Sequence, residues 1–588
     1  MLRERHVSRS APLVLCAAIA LALPGCTTKS EQASQTIPQQ PLPTASEDRE
    51  LGEVALTGSK LERLHKQMPS GVMATKEIAQ SYSNDVAATG LYYRHRELAL
   101  NLPAVNTEKY AQIERNPIKL TREEPVSTFS IDVDTGAYAN VRRFLNNDRL
   151  PPQDAVRVEE LINYFTYDYP QPDSETPFSV STELSANPWN SDTWLLQVGL
   201  KGFEVPAAER PSANLVFLLD VSGSMNDPDK LPLLKKSFKL LTQQLDDNDR
   251  ISIVVYAGAS GVVLEPTPGN EHGIIKKALR KLEAGGSTNG AEGIQLAYEI
   301  AEEAFIENGI NRIVLATDGD FNVGTVNFEA LKDLAERKRE TGISLTTLGF
   351  GTGNYNDHLM EQLADAGNGN YAYIDSAKEA RKVLVNEVTS TLHTIAKDVK
   401  IQIEFNPDIV AEYRLIGYEN RMLNREDFTN DKVDAGEIGA GHTVTALYEL
   451  VPAASTSRSV IPLRYQSETA TSARPGALSG EAAFVRLRYK QPDGDVSTEI
   501  TTPVRTADRV ELENSSDNLR FSASVAAFGQ LLNGSPHIGD FSMKDVNALA
   551  QSAITADPYG YRHEFVSLVS AADSLMTEST GGPVALTN

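Results

Sequence analysis

Cysteine is almost missing from this chain. Its 588 residues include two, Cys16 and Cys26, so everything beyond residue 26 must hold together without a disulfide. Long apolar runs are also missing. Past the N-terminus no stretch reaches the ~20 apolar residues of a membrane-spanning helix, which argues against a pore. Positive charge is in short supply: 55 Lys and Arg against 79 Asp and Glu leave a formal net charge of −24. A body this acidic repels phosphate backbones and anionic lipid surfaces, so nucleic acid is not an expected partner. The common signatures of catalysis are absent as well. There is no HExxH helix, no GxSxG elbow and no Walker lysine loop. Gly349, Gly351 and Gly353 are spaced too regularly for G-x-G-x-x-G, and His563-Glu564 lacks a second histidine. The chain is therefore not expected to be an enzyme.

What is present begins at the N-terminus. Arg3, Arg5 and Arg9 precede thirteen uncharged residues, Ala11 to Leu23. That run is short for a bilayer span but suits the apolar region of a signal peptide. It ends in Leu23-Pro24-Gly25-Cys26, which resembles the lipobox cut by bacterial lipoprotein signal peptidase. The resemblance implies loss of residues 1–25, and Cys16 with them, and a lipid on the Cys26 thiol. Thr27 follows where lipoproteins held at the inner membrane often carry Asp, which favours the outer membrane. The expected location is the cell envelope, at the periplasmic face or the surface of that membrane. Residues 26–50, rich in Ser, Thr, Gln and Pro, bury too little to offset their ordering entropy and read as a tether.

Residues 51–123 read as a helical or irregular linker, with a possible helix at Leu51–Met68. A first α+β region is expected over 124–210. Phe129, Ile131 and Val133 alternate through Ser127–Thr135 as a half-buried strand does. Helices are expected at Tyr138–Leu145 and Ala155–Phe165, then strands at Phe178–Leu184 and Trp194–Leu200. From 211 to 397 the texture changes. Apolar strands Leu215–Leu219, Ile251–Tyr256, Ile313–Ala316 and Ile343–Phe350 read as parallel strands buried on both faces. Amphipathic helices lie between them, the clearest carrying Leu231, Leu234, Phe238, Leu241 and Leu245 at spacings of three and four; another is expected over Ala377–Ile395. This alternation predicts a doubly wound, Rossmann-like α/β domain. Residues 398–588 revert to strand candidates (Val399–Phe405, Tyr413–Tyr418, Val444–Leu450, Ala483–Tyr489, Ser497–Val504). Helices close the chain at Leu519–Leu532, Met543–Ile554 and His563–Met576, so a C-terminal α+β domain is expected.

The strand Leu215–Leu219 runs into Asp220-Val221-Ser222-Gly223-Ser224. Residues 220, 222 and 224 can project from the loop at the carboxyl end of the strand, where open α/β sheets bind ligands. Carboxylate and hydroxyl oxygens are what a hard cation requires. Gly285-Gly286-Ser287-Thr288 supplies a further hydroxyl before a helix, and the strand Ile313–Ala316 delivers Thr317-Asp318-Gly319. Three loops from one sheet edge can converge on one ion. Asp132 and Asp134, by contrast, form only a fragment of a calcium loop, and a satisfied turn at a strand end is the better reading.

In order and spacing these segments resemble the metal-ion-dependent adhesion site of the von Willebrand factor type A family: D-x-S-x-S, then T, then D. The match falls at Asp220, Ser222, Ser224, Thr288 and Asp318. It implies a Mg²⁺ site, with Mn²⁺ or Ca²⁺ also compatible, in which Ser222, Ser224 and Thr288 touch the metal and the aspartates act largely through water. The open position would take an Asp or Glu from a protein ligand. The flanking stretches EPVSTFSIDVDTGAYANVRRFLNNDRLPPQDAVRVEELINYF and AEYRLIGYENRMLNREDFTNDKVDAGEIGAGHTVTALYEL resemble the N-terminal region and the C-terminal domain of unknown function of a bacterial lipoprotein family. Three roles fit: an adhesion or scaffold module, an envelope assembly or stress factor, and an enzyme whose chemistry lies in the flanking domains.

Overall fold

The computed structural model describes residues 108–580 apart from 174–175, 207–208, 289, 320–327, 461–479 and 493. Cys26, the tether and the possible helix Leu51–Met68 lie outside the described residues. The chain first forms β1 (Lys119–Leu120), β2 (Val126–Ser130), β3 (Phe178–Asn187) and β4 (Asn190–Gly202). Next come β5 (Ala213–Asp220), β6 (Arg250–Tyr256), β7 (Ser260–Pro268), β8 (Ile310–Thr317), β9 (Ile343–Phe350) and β10 (Tyr371–Ile374). Last are β11 (Thr394–Phe405), β12 (Val410–Ile416), β13 (Gly436–Gly439), β14 (Thr443–Pro452), β15 (Glu481–Lys490) and β16 (Ser497–Arg505).

The middle six strands make one sheet in the order β10-β9-β8-β5-β6-β7, parallel except for β7. The continuous apolar run of β5 has the cause expected of it. Leu215, Phe217 and Leu219 pack against Leu234 and Phe238 of the helix Leu231–Leu241, while Val216 and Leu218 pack against Ile294 and Ala297 of the helix Gly290–Glu303. Helices on both faces bury both sets of side chains. The doubly wound domain is therefore present as the alternation of strand and helix predicted. Two of its strands were not foreseen. β7 is an antiparallel edge with none of its residues fully buried, and β10 is only four residues long.

The flanking segments do not form two separate layers. Each contributes strands to two shared antiparallel sheets. One has the order β1-β12-β14-β4-β3; in the other β13-β11-β15-β16 is joined by β2 pairing with β11. Even-numbered residues of β4 and β14, such as Leu196, Val198, Ala446 and Tyr448, face the second sheet through Phe129, Ile401, Ile403, Val485 and Leu487. Odd-numbered Leu195 and Leu447 face a helical layer built on Phe521, Phe528 and Phe565. The period of two in each strand thus separates two cores on either side of one sheet. On β15 the outward Arg486 and Arg488 are half-exposed, the usual alternation of a sheet with one wet face.

Three boundaries differ from expectation. β2 stops at Ser130, short of the expected Thr135, because the Asp132 Oδ1 accepts the Asp134 N–H at 2.8 Å and turns the chain. The helix expected from Ala155 begins at Val158, after a short 3₁₀ turn at Gln153–Ala155. The long helix expected over Ala377–Ile395 is broken. It runs Ala377–Arg381, loosens through Lys382–Asn386, resumes at Val388–Leu392 and gives way to β11 at Thr394. Thr389, Thr391, Thr394 and Ile395 are β-branched and favour a strand, and pairing of Thr394 with Gly439 decides the matter.

Buried ion pairs join the α/β domain to the flanking body. Arg142, 2% exposed, donates to Asp375 at 2.8 and 2.6 Å and to Glu379 at 2.7 Å. Arg157 reaches Glu160 and Asp357. Arg421 spans Asp132, Asp134 and Asp365, and the Tyr371 N–H bonds Asp134 at 2.7 Å. Asp132 and Asp134 are thus a satisfied turn, as read. His563 is exposed and its ring meets Asp557 at 2.7 Å. None of the helices among the described residues is long and apolar enough to cross a membrane.

Because β12, β14 and β11 need β4, β3 and β2 to complete their sheets, residues 398–580 produced alone should not fold. A cooperative thermal transition with dispersed amide resonances from that fragment would contradict the shared-sheet architecture.

Candidate metal centre

The register of the parallel sheet sets the site. Asp220 sits opposite Tyr256 across β5 and β6, and Leu219 opposite Ala316 across β5 and β8. The carboxyl ends of three neighbouring strands therefore bring Asp220, Tyr256 and Thr317 to one edge. Asp318 follows where β8 stops. Asp220, Ser222 and Asp318 are 0–1% exposed, whereas Ser224 and Thr288 are half-buried and Gly223, Gly285, Gly286 and Ser287 exposed. Asp220, Asp318 and Ser222 lie deepest, and Ser224 and Thr288 lie nearer the surface.

Each carboxylate is held by several donors. The Ser222 N–H donates to Asp220 Oδ1 at 2.8 Å. The Thr317 hydroxyl donates to Asp220 Oδ2 at 2.8 Å and the Tyr256 hydroxyl to the same oxygen at 3.2 Å. Burial pushes the Asp220 carboxyl above its usual value, the Ser222 hydrogen bonds pull it down, and the nearby Asp318 charge pushes it up again. Asp318 Oδ2 accepts from Lys230 Nζ at 2.9 Å and from Asn354 Nδ2 at 3.3 Å. The Ser222 and Ser224 hydroxyls are 3.0 Å apart.

The loop carrying Thr288 is tied to the first loop through its backbone. Gly285 N–H donates to the Val221 carbonyl at 2.8 Å, and Gly223 N–H to the Gly286 carbonyl at 3.0 Å. Gly286 has φ +85°, where a Cβ would be strained. Gly319, at φ +79°, leaves no room either, since a Cβ would lie 2.5 Å from the Asn356 nitrogen. The structure thus brings together the side chains of Asp220, Ser222, Ser224 and Asp318, and sets the backbone of the Thr288 loop beside them.

The donor set fits a hard divalent ion. Two buried carboxylates against one ammonium leave a net negative charge at this edge, and the paired Ser222 and Ser224 hydroxyls are neutral oxygen donors. Among the described residues no group of three or more His, Cys, Asp or Glu gathers into a metal cage. Four side chains that support this edge escaped the sequence reading: Thr317, Tyr256, Lys230 and Asn354. Thr317 and Tyr256 could have been found as the last residues of strands adjacent to Asp220; Lys230 and Asn354 carry no comparable signal.

Comparison with known proteins agrees with this geometry at the level of the domain. The profile described as von Willebrand factor type A domain matches residues 214–387, one described as von Willebrand factor matches 104–197, and one described as "Uncharacterized protein YfbK, C-terminal" matches 390–575. The YfbK protein of Escherichia coli (strain K12) is 44% identical over 484 residues, covering 81% of this chain and 83% of its own length. This chain belongs to the YfbK family. A YfbK-type chain therefore consists of a type A domain set between two flanking segments, and type A domains serve metal-dependent adhesion or protein interaction in general. The protein sll0103 of Synechocystis is 32% identical over 167 residues, covering 28% of this chain and 39% of its own length. A solved structure of a von Willebrand factor type A protein from Catenulispora acidiphila covers 72% of this chain and 93% of its own at 16% identity, with a TM-score of 0.37.

Replacing Thr317 by Val keeps the β-branched shape but removes a donor from a buried carboxylate. The expected cost is about 1–3 kcal/mol, read as a fall of the thermal midpoint in metal-free buffer. An unchanged midpoint would mean that Ser222 and Tyr256 alone satisfy Asp220.

Proposed function

We propose that this protein captures a protein ligand through a divalent ion held at the edge of its α/β sheet. Ser222, Ser224 and Thr288 offer the direct oxygens, and Asp220 and Asp318 neutralise the ion from below. Mg²⁺ is the proposed ion, with Mn²⁺ or Ca²⁺ compatible with the same oxygens. A divalent ion supplies Lewis acidity toward an anionic oxygen. Because most direct donors are neutral hydroxyls, little of that acidity is spent on the protein, and an Asp or Glu of a partner is the proposed ligand. The observation that carries this reading is the pair of fully buried carboxylates at the ends of neighbouring strands, with two hydroxyls 3.0 Å apart in the loop that follows the first of them. The reading is of an interaction module rather than an enzyme.

The protein is further proposed to be a lipoprotein of the cell envelope, attached through Cys26 and reaching its ligand on the tether of residues 26–50. The support is the Leu23-Pro24-Gly25-Cys26 sequence after an uncharged run.

Partner capture from envelope extracts should be abolished by chelator, restored by Mg²⁺ and lost in Asp220→Ala. Full capture by a folded Asp220→Ala protein would remove the metal from the mechanism. Cys26→Ser should shift the full-length protein from the membrane fraction to the soluble one, and unchanged membrane retention would rule out the thiol as the anchor.

A further inference from the structure

Lys230 is the least expected member of the site. It is 4% exposed, on the residue that immediately precedes the helix Leu231–Leu241, and its ammonium donates to Asp318 at 2.9 Å and to Asn354 Oδ1 at 3.0 Å. Asn354 in turn donates to the same Asp318 oxygen at 3.3 Å. The three groups form a closed triangle. The fold makes room for it. The lysine stem lies across Gly351, at φ +76°, where a Cβ would run into its Cγ, Cδ and Cε. The backbone is also fixed, since Lys230 N–H donates to the Asp227 carbonyl at 3.0 Å and Leu234 N–H to the Lys230 carbonyl at 2.8 Å. A buried lysine is costly unless paired, and here the pairing partner is a carboxylate that a metal would also use.

We infer that Lys230 is a positioning residue that deliberately weakens metal binding: its fixed ammonium neutralises Asp318 and leaves the site avid for an anionic ligand once a divalent ion is present. This rests on the metal reading above. The charge count gives the logic. Two carboxylates and one ammonium carry a net −1, so a divalent ion leaves the loaded site at +1, and one ligand carboxylate returns it to zero. Without the ammonium the loaded site would already be neutral and would have less use for a partner's carboxylate. Such a site holds its ion loosely on its own and firmly in the complex.

The consequence is a gain of function, which a merely structural lysine would not give. Full-length protein carrying Lys230→Met, which keeps the stem and loses the charge, should be less stable without metal yet bind Mg²⁺ at least about tenfold more tightly in calorimetric titration. Lys230→Gln, which can still donate to Asp318, should show the same tightening and covers the case in which Lys230→Met fails to fold. Equal or weaker Mg²⁺ binding by the folded variants, against a wild type that binds, would overturn the role of Lys230 and leave the metal site intact. Mg²⁺ binding by none of the proteins, or binding by wild type no better than by Asp220→Ala, would overturn the metal reading itself and this inference with it.

Discussion

The parallel register between β5, β6 and β8 is the constraint on which the site depends. Hydrogen bonding along these strands fixes which residues end level with one another, and Asp220, Tyr256 and Thr317 come out together. A slip of one residue would turn Asp220 into the opposite helical layer and set an apolar side chain in its place. The same ladder is buried on both faces, so the apolar packing that stabilises the domain also holds the register. Packing and placement of the oxygen donors have one cause.

The two carboxylates of that edge are provided for differently. Asp220 is surrounded by neutral donors, two hydroxyls and a backbone N–H. Asp318 is met by a full positive charge. A buried carboxylate with only dipoles around it favours a cation more strongly than one already paired. In the proposed metal site this asymmetry would make Asp220 the stronger attraction for an ion, with Asp318 tuned by its neighbour.

Much of the α/β domain was legible because its signals are local. Continuous apolar runs such as Leu215–Leu219 report burial on both faces, and D-x-S-x-S directly after one of them places oxygens at a strand end. The flanking strands were legible one by one, since alternation at Phe129 or Val485 needs no partner to be seen. Their sharing of sheets was not. Nothing local to β14 says that its neighbour is β4, or to β12 that one of its neighbours is β1, each more than two hundred residues earlier in the chain. Lys230 was hidden for a similar reason. In sequence it is one more basic residue near a helix start, and only the fold sets it against Asp318 and the bare backbone of Gly351. The broken helix after Ala377 shows tertiary pairing prevailing over a pattern that reads as helical.

The chain leaves the flanking body at the end of β4 and re-enters it at β11, and those two points touch: a Cβ on Gly202 would lie 2.8 Å from the Ile395 side chain. To the flanking sheets the whole inserted domain therefore behaves as a short loop, but only after it has folded. An unfolded insertion of that length would impose a much larger closure entropy on every pairing between β4 and β14. Folding of the inserted domain from contacts within itself therefore lowers the entropic cost of assembling the surrounding sheets around its adjoining ends.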